Sequence, residues 1–180
     1  MTQSVTVTVQ DIARYIRDVP DFPKPGIVFK DITPLLLDAT AFRRAVELMT
    51  APFRRAKVAR VVSIESRGFL LGAPIALALE AGLVPMRKPG KLPAERGRVE
   101  YALEYGTDAL EMHKDAVSAG DRVLVVDDVL ATGGTAAAAA KLVRAHGAEV
   151  VGFTFLIELD FLNGRARLEG ERIEALLHYA

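Results

Sequence analysis

Two acidic residues followed by a glycine-rich turn form the segment of this sequence best suited to chemistry. Asp127 and Asp128 come directly after a continuous apolar run, and Ala-Thr-Gly-Gly-Thr follows at residues 131–135, before a stretch that favours a helix. The glycines allow a tight turn with the backbone close to an anion, and the helix start and the threonine hydroxyls supply N–H and O–H donors. The pattern therefore predicts a phosphate-binding loop formed by Ala131, Thr132, Gly133, Gly134 and Thr135.

The two carboxylates need a different ligand, because they would repel a phosphate. Ribose hydroxyls and the hydration shell of a magnesium ion suit Asp127 and Asp128. The loop lacks both the Lys-Ser/Thr ending of a P-loop and the glycine spacing of a dinucleotide site. A simpler interpretation, a capped turn with no ligand, accounts for the glycines but leaves two acids at the end of an apolar strand unexplained.

A second anion site is indicated by Glu-Ser-Arg-Gly at residues 65–68, between a β-branched run and a predicted helix. Backbone amides at Ser66 and the guanidinium of Arg67 are suited to a pyrophosphate.

Residues 87–98 carry five basic side chains against one acid, with two glycines and two prolines. This composition is typical of a lid that closes over a polyanion, or of a solvated charge run. The candidate ligands in it are Arg87, Lys88 and Lys91.

The acidic and glycine-rich segment resembles the phosphoribosyl diphosphate signature of the type I phosphoribosyltransferases. Four further segments resemble the adenine phosphoribosyltransferases in particular: PDFPKPGIVFKDI at residues 20–32, ESRGF at 65–69, RKPGKLP at 87–93 and LEYG at 103–106. The resemblance runs in register from about residue 12 to about residue 158. Family members often have Arg where Lys30 stands and Asp where Glu65 stands.

The resemblance implies a role for each segment. Asp127 and Asp128 would bind the ribose hydroxyls, and residues 131–135 the 5-phosphate. Phe29 would stack on the purine, while the backbone groups of Val28 and Lys30 would hydrogen-bond its edge. The family's loop that corresponds to Ser66, Arg67 and Gly68 can also carry a non-proline cis peptide.

The implied reaction joins N9 of adenine to the anomeric carbon of phosphoribosyl diphosphate, giving AMP and pyrophosphate. Arg67, Lys88 and Glu104 would be the catalytic residues. Arg67 and Lys88, with Mg²⁺, Arg87 and Lys91, would stabilise the leaving pyrophosphate, and Glu104 would accept or relay the proton. Tyr105, in the same segment as Glu104, would bind substrate. The family also implies a homodimer.

Two alternatives remain open at this point. A transferase for a 6-oxopurine such as xanthine would need the reversed donor pattern at the base edge, which side-chain identity does not reveal when the contact is made by backbone. A non-catalytic sensor of phosphoribosyl diphosphate would need a nucleic-acid-binding element. The roughly 20 residues before the PDFPKPGIVF segment leave no room for a helix-turn-helix.

Alternating strand and helix patterns must position these residues. Apolar runs predict strands at 60–64, 83–86, 123–126 and 149–157, and helices at 68–81 and 134–146. Such alternation predicts an α/β fold with a doubly wound, mainly parallel sheet, whose ligands lie beyond the carboxyl ends of the strands. Outside it we expect an amphipathic helix at 9–19, an irregular cap at 21–34, a helix at 40–51 with Thr40 as N-cap, and a peripheral tail at 167–180.

Length and composition limit the number of domains and the classes of partner and compartment. The 180 residues predict a single domain, with a hood mainly at residues 9–34 and a lid at about 87–107. A formal net charge of zero argues against a general nucleic-acid binder. The sequence has no cysteine, so disulfides and thiolate metal sites are excluded, which fits a reducing compartment. No apolar stretch approaches the roughly 18 residues of a membrane span and no signal peptide is evident, so we expect a cytoplasmic protein without membrane contact.

Overall fold

The computed structural model describes residues 8–102, without the side chain of Ala102, and residues 107–180. The chain divides into two compact units, Met1–Leu48 and Met49–Ala180. The smaller unit begins with helix α1 (Val9–Ala13), strands β1 (Arg17–Pro20) and β2 (Val28–Asp31) and helix α2 (Thr33–Leu37). Helix α3 (Ala39–Thr50) follows and ends in the larger unit.

The helix expected over residues 9–19 is correct only as far as residue 13. Strand β1 instead pairs antiparallel with β2. Arg17 donates to the Asp31 carboxylate across this pair at 2.7 Å, and Lys30 to Asp18 at 2.6 Å. Pairing with a partner strand therefore outweighs the helical spacing of the apolar residues in this segment.

Two further predictions in this unit need correction. Residues 21–34 contain β2 and the start of α2 rather than only an irregular cap, because Pro34 is tolerated in the first turn of a helix. Helix α3 is capped by Asp38 and not by Thr40. The Asp38 carboxylate accepts from the amides of Thr40 and Ala41 at 3.0 and 2.8 Å.

The larger unit contains the predicted parallel sheet. In chain order its elements are β3 (Arg60–Ile64), α4 (Gly68–Ala78), β4 (Gly82–Met86), β5 (Arg96–Ala102), β6 (Thr107–His113), β7 (Arg122–Leu130), α5 (Gly134–Ala145), β8 (Glu149–Leu159) and β9 (Ile173–Tyr179). Five parallel strands lie in the order β4-β3-β7-β8-β9. The α/β class and the parallel sheet are confirmed. Strands β5 and β6 form a separate antiparallel ribbon.

Element bounds differ from the prediction in a few places. Helix α4 ends at Ala78, because Glu80 adopts a left-handed φ of 55° and the chain enters β4 at Gly82. The C-terminal tail supplies β9, which pairs with β8 at the edge of the sheet. Among the helices that the structure describes, none is long and apolar enough to cross a membrane.

The core of the larger unit lies between the sheet, α5 and the ribbon. Four alanines of α5 are buried together with apolar residues of β7 and of the ribbon: Ala136, Ala138, Ala139 and Ala140 from the helix, and Val99, Leu110 and Met112 from the ribbon. Small side chains let the helix approach the sheet closely. This packing fixes the position of the first residues of α5, where the predicted phosphate loop ends.

Candidate active site

Three of the predicted segments meet at the carboxyl edge of the sheet. Strand β3 lies between β4 and β7, with Ile64 opposite Met86 and Ser63 opposite Val126. The residues that follow β3 and β4, and those at the end of β7, therefore lie side by side. This edge is where an open parallel sheet binds its ligands.

Asp127 and Asp128 form a crowded pair of carboxylates at this edge. Asp128 is buried, and Arg67 Nε lies 2.8 Å from its Oδ2. Burial raises the pKa of Asp127 well above its ordinary value, and the neighbouring charge of Asp128 raises it further. Burial also raises the pKa of Asp128, although the Arg67 guanidinium opposes this shift. A ligand that offers hydroxyl donors or a cation would relieve both carboxylates.

The start of α4 lies against this pair. A Cβ on Gly68 would lie 2.8 Å from Asp127 Oδ1 and 3.2 Å from the carbonyl oxygen of Val126. Only a residue without a side chain allows α4 to begin so close to β7. The same contact brings Arg67, the residue before the helix, within reach of Asp128.

The predicted phosphate loop has the backbone shape that its glycines suggested. Gly133 adopts a left-handed φ of 78°, and α5 begins at Gly134. The first amides of an α-helix have no partner within the helix, so they are available to an anion. A cavity lies over the loop, lined by Asp127, residues 129–136 and Phe155.

A second backbone segment supports the loop, and the sequence analysis missed it. A Cβ on Gly133 would collide with the carbonyl of Gly164, and a Cβ on Gly164 would collide with the carbonyl of Ala131. The two chain segments are therefore in direct backbone contact. The only sequence signal was the Asn-Gly pair at residues 163–164, which indicates a turn and not a contact.

Glu65 organises the basic segment that follows β4. Its carboxylate accepts from the Lys88 amide at 3.0 Å and from Arg87 Nε at 3.3 Å, and it also contacts Lys91 Nζ. Burial alone would raise the pKa of Glu65, but these hydrogen bonds outweigh it and hold the pKa below its ordinary value. The bond between Glu65 and Ser66 is cis, as the resemblance implied. Glu65 was not among the predicted site residues.

The side chain of Lys88 points to the ribbon. Its Nζ contacts the Asp108 carboxylate and donates to the Tyr101 hydroxyl at 3.2 Å. Thr135 Oγ1, in the phosphate loop, lies 3.3 Å from the same hydroxyl. Burial would lower the pKa of Lys88, but its bonds to Asp108 and Tyr101 raise it. Tyr101 and Asp108 were also missed by the sequence analysis.

The remaining predicted residues either lie outside the described residues or belong to the smaller unit. Glu104 and Tyr105 lie outside the residues that the structure describes. Val28, Phe29 and Lys30 belong to β2 in the smaller unit. There the Phe29 ring packs edge-on against Phe22 at 5.1 Å between centroids.

Known proteins are similar to this chain in sequence and in fold. Residues 36–172 match the family model of the phosphoribosyl transferase domain. The adenine phosphoribosyltransferase of Myxococcus xanthus is 62% identical over 97% of this chain and 95% of its own length.

Two solved structures are similar over nearly their whole lengths. An adenine phosphoribosyltransferase from Thermoanaerobacter pseudethanolicus has a TM-score of 0.93 and 53% identity, covering 96% of this chain and 100% of that one. The enzyme from Saccharomyces cerevisiae, in complex with adenine and an imino-altritol bisphosphate, has a TM-score of 0.90 and 40% identity. The match covers 94% of this chain and 98% of that one. With the acidic pair, the phosphate loop and the arginine at one edge of a parallel sheet, the chain belongs to the adenine phosphoribosyltransferase family.

Proposed function

We propose that this protein is a purine salvage enzyme that transfers ribose 5-phosphate from phosphoribosyl diphosphate to N9 of adenine, giving AMP and pyrophosphate. The observation that carries the proposal is the placement of the Asp127–Asp128 pair between a phosphate loop and Arg67 at one edge of the sheet. Similarity to adenine phosphoribosyltransferases over nearly the whole chain favours adenine over a 6-oxopurine. It also favours catalysis over a sensing role.

The described residues support a position for each part of the sugar substrate. The 5-phosphate would bind the loop from Ala131 to Thr135, and the ribose hydroxyls would bind Asp127 and Asp128. The pyrophosphate would bind near the start of α4 and the segment after β4. Its ligands would be Ser66, Arg67, Arg87, Lys88 and Lys91.

A magnesium ion fits this edge of the sheet as a substrate-held ion. Two neighbouring carboxylates, Asp127 and Asp128, are too few for a protein-only site, and Mg²⁺ commonly binds through one or two carboxylates together with phosphate oxygens and water. Either carboxylate would hold the ion through water. When bound, it would neutralise charge on the diphosphate, while Arg67 and the basic side chains after β4 hold the same group in place.

The chemical step would separate pyrophosphate from the anomeric carbon and leave positive character on the sugar. Arg67 and Lys88 would stabilise the negative charge that develops on the departing group, a contribution that grows in the transition state. Phe29 and the backbone of Val28 and Lys30 would orient adenine so that N9 faces the anomeric carbon. Glu104 would accept the proton that adenine loses, with Tyr105 binding substrate beside it.

We further propose a homodimer. Leu70 and Leu77 are 48% and 81% exposed on one face of α4, and Leu83 on the neighbouring edge strand β4 is 42% exposed. Exposed apolar side chains on a helix and a neighbouring strand are typical of a subunit interface. The absence of cysteine supports a location in the reducing cytoplasm, which fractionation of cells that express a tagged protein would test.

The function is tested by an assay for pyrophosphate release with adenine, hypoxanthine, guanine and xanthine in parallel. We expect turnover with adenine and Mg²⁺, and at most trace turnover with the three 6-oxopurines. Equal or faster release with xanthine would replace the adenine assignment, and no release with any base would remove the catalytic one.

The role of Glu104 is tested separately. Glu104→Gln should lower kcat by about 100-fold, the usual contribution of a general base, while binding of phosphoribosyl diphosphate changes little. Glu100→Gln is the control, because Glu100 is an exposed acid of β5 paired with Arg98. An unchanged kcat in Glu104→Gln would rule out proton transfer by this residue.

A further inference from the structure

Tyr101 lies where two anion-binding parts of the site meet. Its hydroxyl is 3.2 Å from Lys88 Nζ, in the segment after β4, and 3.3 Å from Thr135 Oγ1, in the phosphate loop. The third partner is Asp108 on the facing strand β6, whose Oδ2 is 3.2 Å from the hydroxyl. In the ribbon, Tyr101 and Asp108 are directly opposite each other.

Counting hydrogens fixes the direction of these bonds. A phenol has one hydrogen to donate and can accept two. Burial would raise the pKa of Asp108, but its bonds to Lys88 and to neighbouring donors lower it, so its carboxylate is ionised and only accepts. Tyr101 therefore donates to Asp108 and accepts from both Lys88 and Thr135. All three positions of the hydroxyl are used.

The same count applies to the hydrogens of the Lys88 ammonium group. An ammonium group has three hydrogens, of which two are directed to Asp108 and Tyr101. One remains for an anionic ligand. Because the lysine side chain is long and flexible, holding it at two points removes much of the rotamer freedom that an anion would otherwise have to restrict on binding.

We propose that Tyr101, together with Asp108, is a positioning residue that fixes Lys88 Nζ relative to the phosphate loop, so that one substrate molecule meets both at the correct separation. This inference rests on the proposed function, in which Lys88 binds the pyrophosphate group and the phosphate loop, residues 131–135, binds the 5-phosphate. Neither Tyr101 nor Asp108 needs to touch the reacting atoms. Their effect on the reaction passes through Lys88.

The first test separates the effect on the two substrates. With little change of shape, Tyr101→Phe removes the hydroxyl to which Lys88 donates, and Asp108→Asn removes the negative charge that pairs with Lys88. We expect kcat/KM for phosphoribosyl diphosphate to fall by about tenfold in each, as for the loss of a hydrogen bond to a charged group. The KM for adenine should not change. Equal losses for both substrates, or none, would overturn the proposal.

The second test is a double-mutant cycle with Lys88→Met. If Tyr101 acts through Lys88, adding Tyr101→Phe to Lys88→Met should cost less than about twofold more, whereas independent effects would multiply. Glu100→Gln, on the same strand, should leave activity unchanged alone and in the Lys88→Met background. Multiplicative effects of Tyr101 and Lys88 would overturn the proposal. A wild-type enzyme that forms no AMP would instead remove the proposed function, so the two failures are distinguishable.

Discussion

Asp127 lies at a position where the fold makes a negative charge unfavourable. Its pKa is raised by burial and by Asp128, so the folded protein binds a proton more tightly than the unfolded chain. This preference for the protonated form costs stability at pH 7. The cost decreases as the pH falls below the raised pKa, and it is gone below the ordinary pKa of the unfolded chain.

Asp127→Asn should consequently stabilise the protein by about 1 kcal/mol at pH 7 while weakening binding of phosphoribosyl diphosphate at least tenfold. The Asn oxygen can still accept the Asp128 amide, which lies 2.9 Å from Asp127 Oδ1. Thermal unfolding from pH 3 to 8 checks the first effect, and the difference from wild type should vanish at the acidic end. A variant less stable than wild type at pH 7 would contradict this account.

The pKa of Glu65 is shifted in the opposite direction, and so is its effect on stability. Its pKa is lowered despite burial, because Lys91, the Lys88 amide and Arg87 donate to it. Its ionised form therefore adds stability above its unfolded-state pKa, and this is lost as the pH falls through the lowered value.

Glu65→Gln should destabilise the protein by up to about 1 kcal/mol at pH 7, since Arg87 and Lys91 are partly solvated. Denaturant unfolding at pH 7 and at pH 3 measures it, and the loss should be confined to pH 7. Glu100→Gln removes a carboxylate that is 65% exposed and should change stability little at either pH. Equal losses of stability in the two variants would show that the burial of Glu65 does not determine its contribution.

At the scale of elements, the contact between α4 and β7 determines the shape of the site. Gly68→Ala places a methyl group 2.8 Å from Asp127 Oδ1, so the carboxylate must move. Because Gly68 is the first residue of α4, the better helix propensity of alanine offsets little of the clash. We expect a folded variant that binds phosphoribosyl diphosphate at least tenfold more weakly.

Calorimetric titration and thermal melting separate these two effects. Gly82→Ala is the matched control, because the atoms nearest its new methyl group belong to the flexible side chain of Arg60. Its affinity should match wild type. An unchanged affinity in Gly68→Ala would show that Asp127 does not depend on this close approach.

The elements differ in how far the sequence predicted them. The phosphate loop could be predicted because its strand, turn and helix start are consecutive, and each has a local signal. Tyr101 and Thr135 are 34 positions apart, and they meet only through the register of the ribbon and its packing on α5. No local pattern reports that contact. The β1 segment was mistaken for helix because its partner strand was not visible in the spacing of its own apolar residues.

At the scale of the whole molecule, the zero net charge includes two neighbouring blocks of opposite charge. Residues 87–98 carry five positive charges and one negative, while residues 99–111 carry four acids. In the described part of the ribbon, Asp108 pairs with Lys88 and Glu111 with Arg96 at 3.1 Å. The sequence revealed the two opposite blocks, but which residues pair follows from the fold.

The proposed dimer gives a prediction at this scale. Leu77→Glu puts a charge on the exposed apolar face of α4 and should convert the dimer to a monomer, measured by sedimentation velocity. Leu37→Glu is the control, because Leu37 is 86% exposed on α2 and does not belong to that face. A wild-type protein that sediments as a monomer, or a Leu77→Glu variant that remains dimeric, would contradict the proposed interface.

The backbone contact between Gly133 and Gly164 has a consequence for synthesis of the chain. The phosphate loop is complete in sequence by residue 135, yet the segment that abuts it is made 29 residues later, as the numbering shows. A nascent chain therefore carries the residues of the loop before it carries the segment that supports them. The phosphate loop gains this backbone support only after Gly164 has been synthesised.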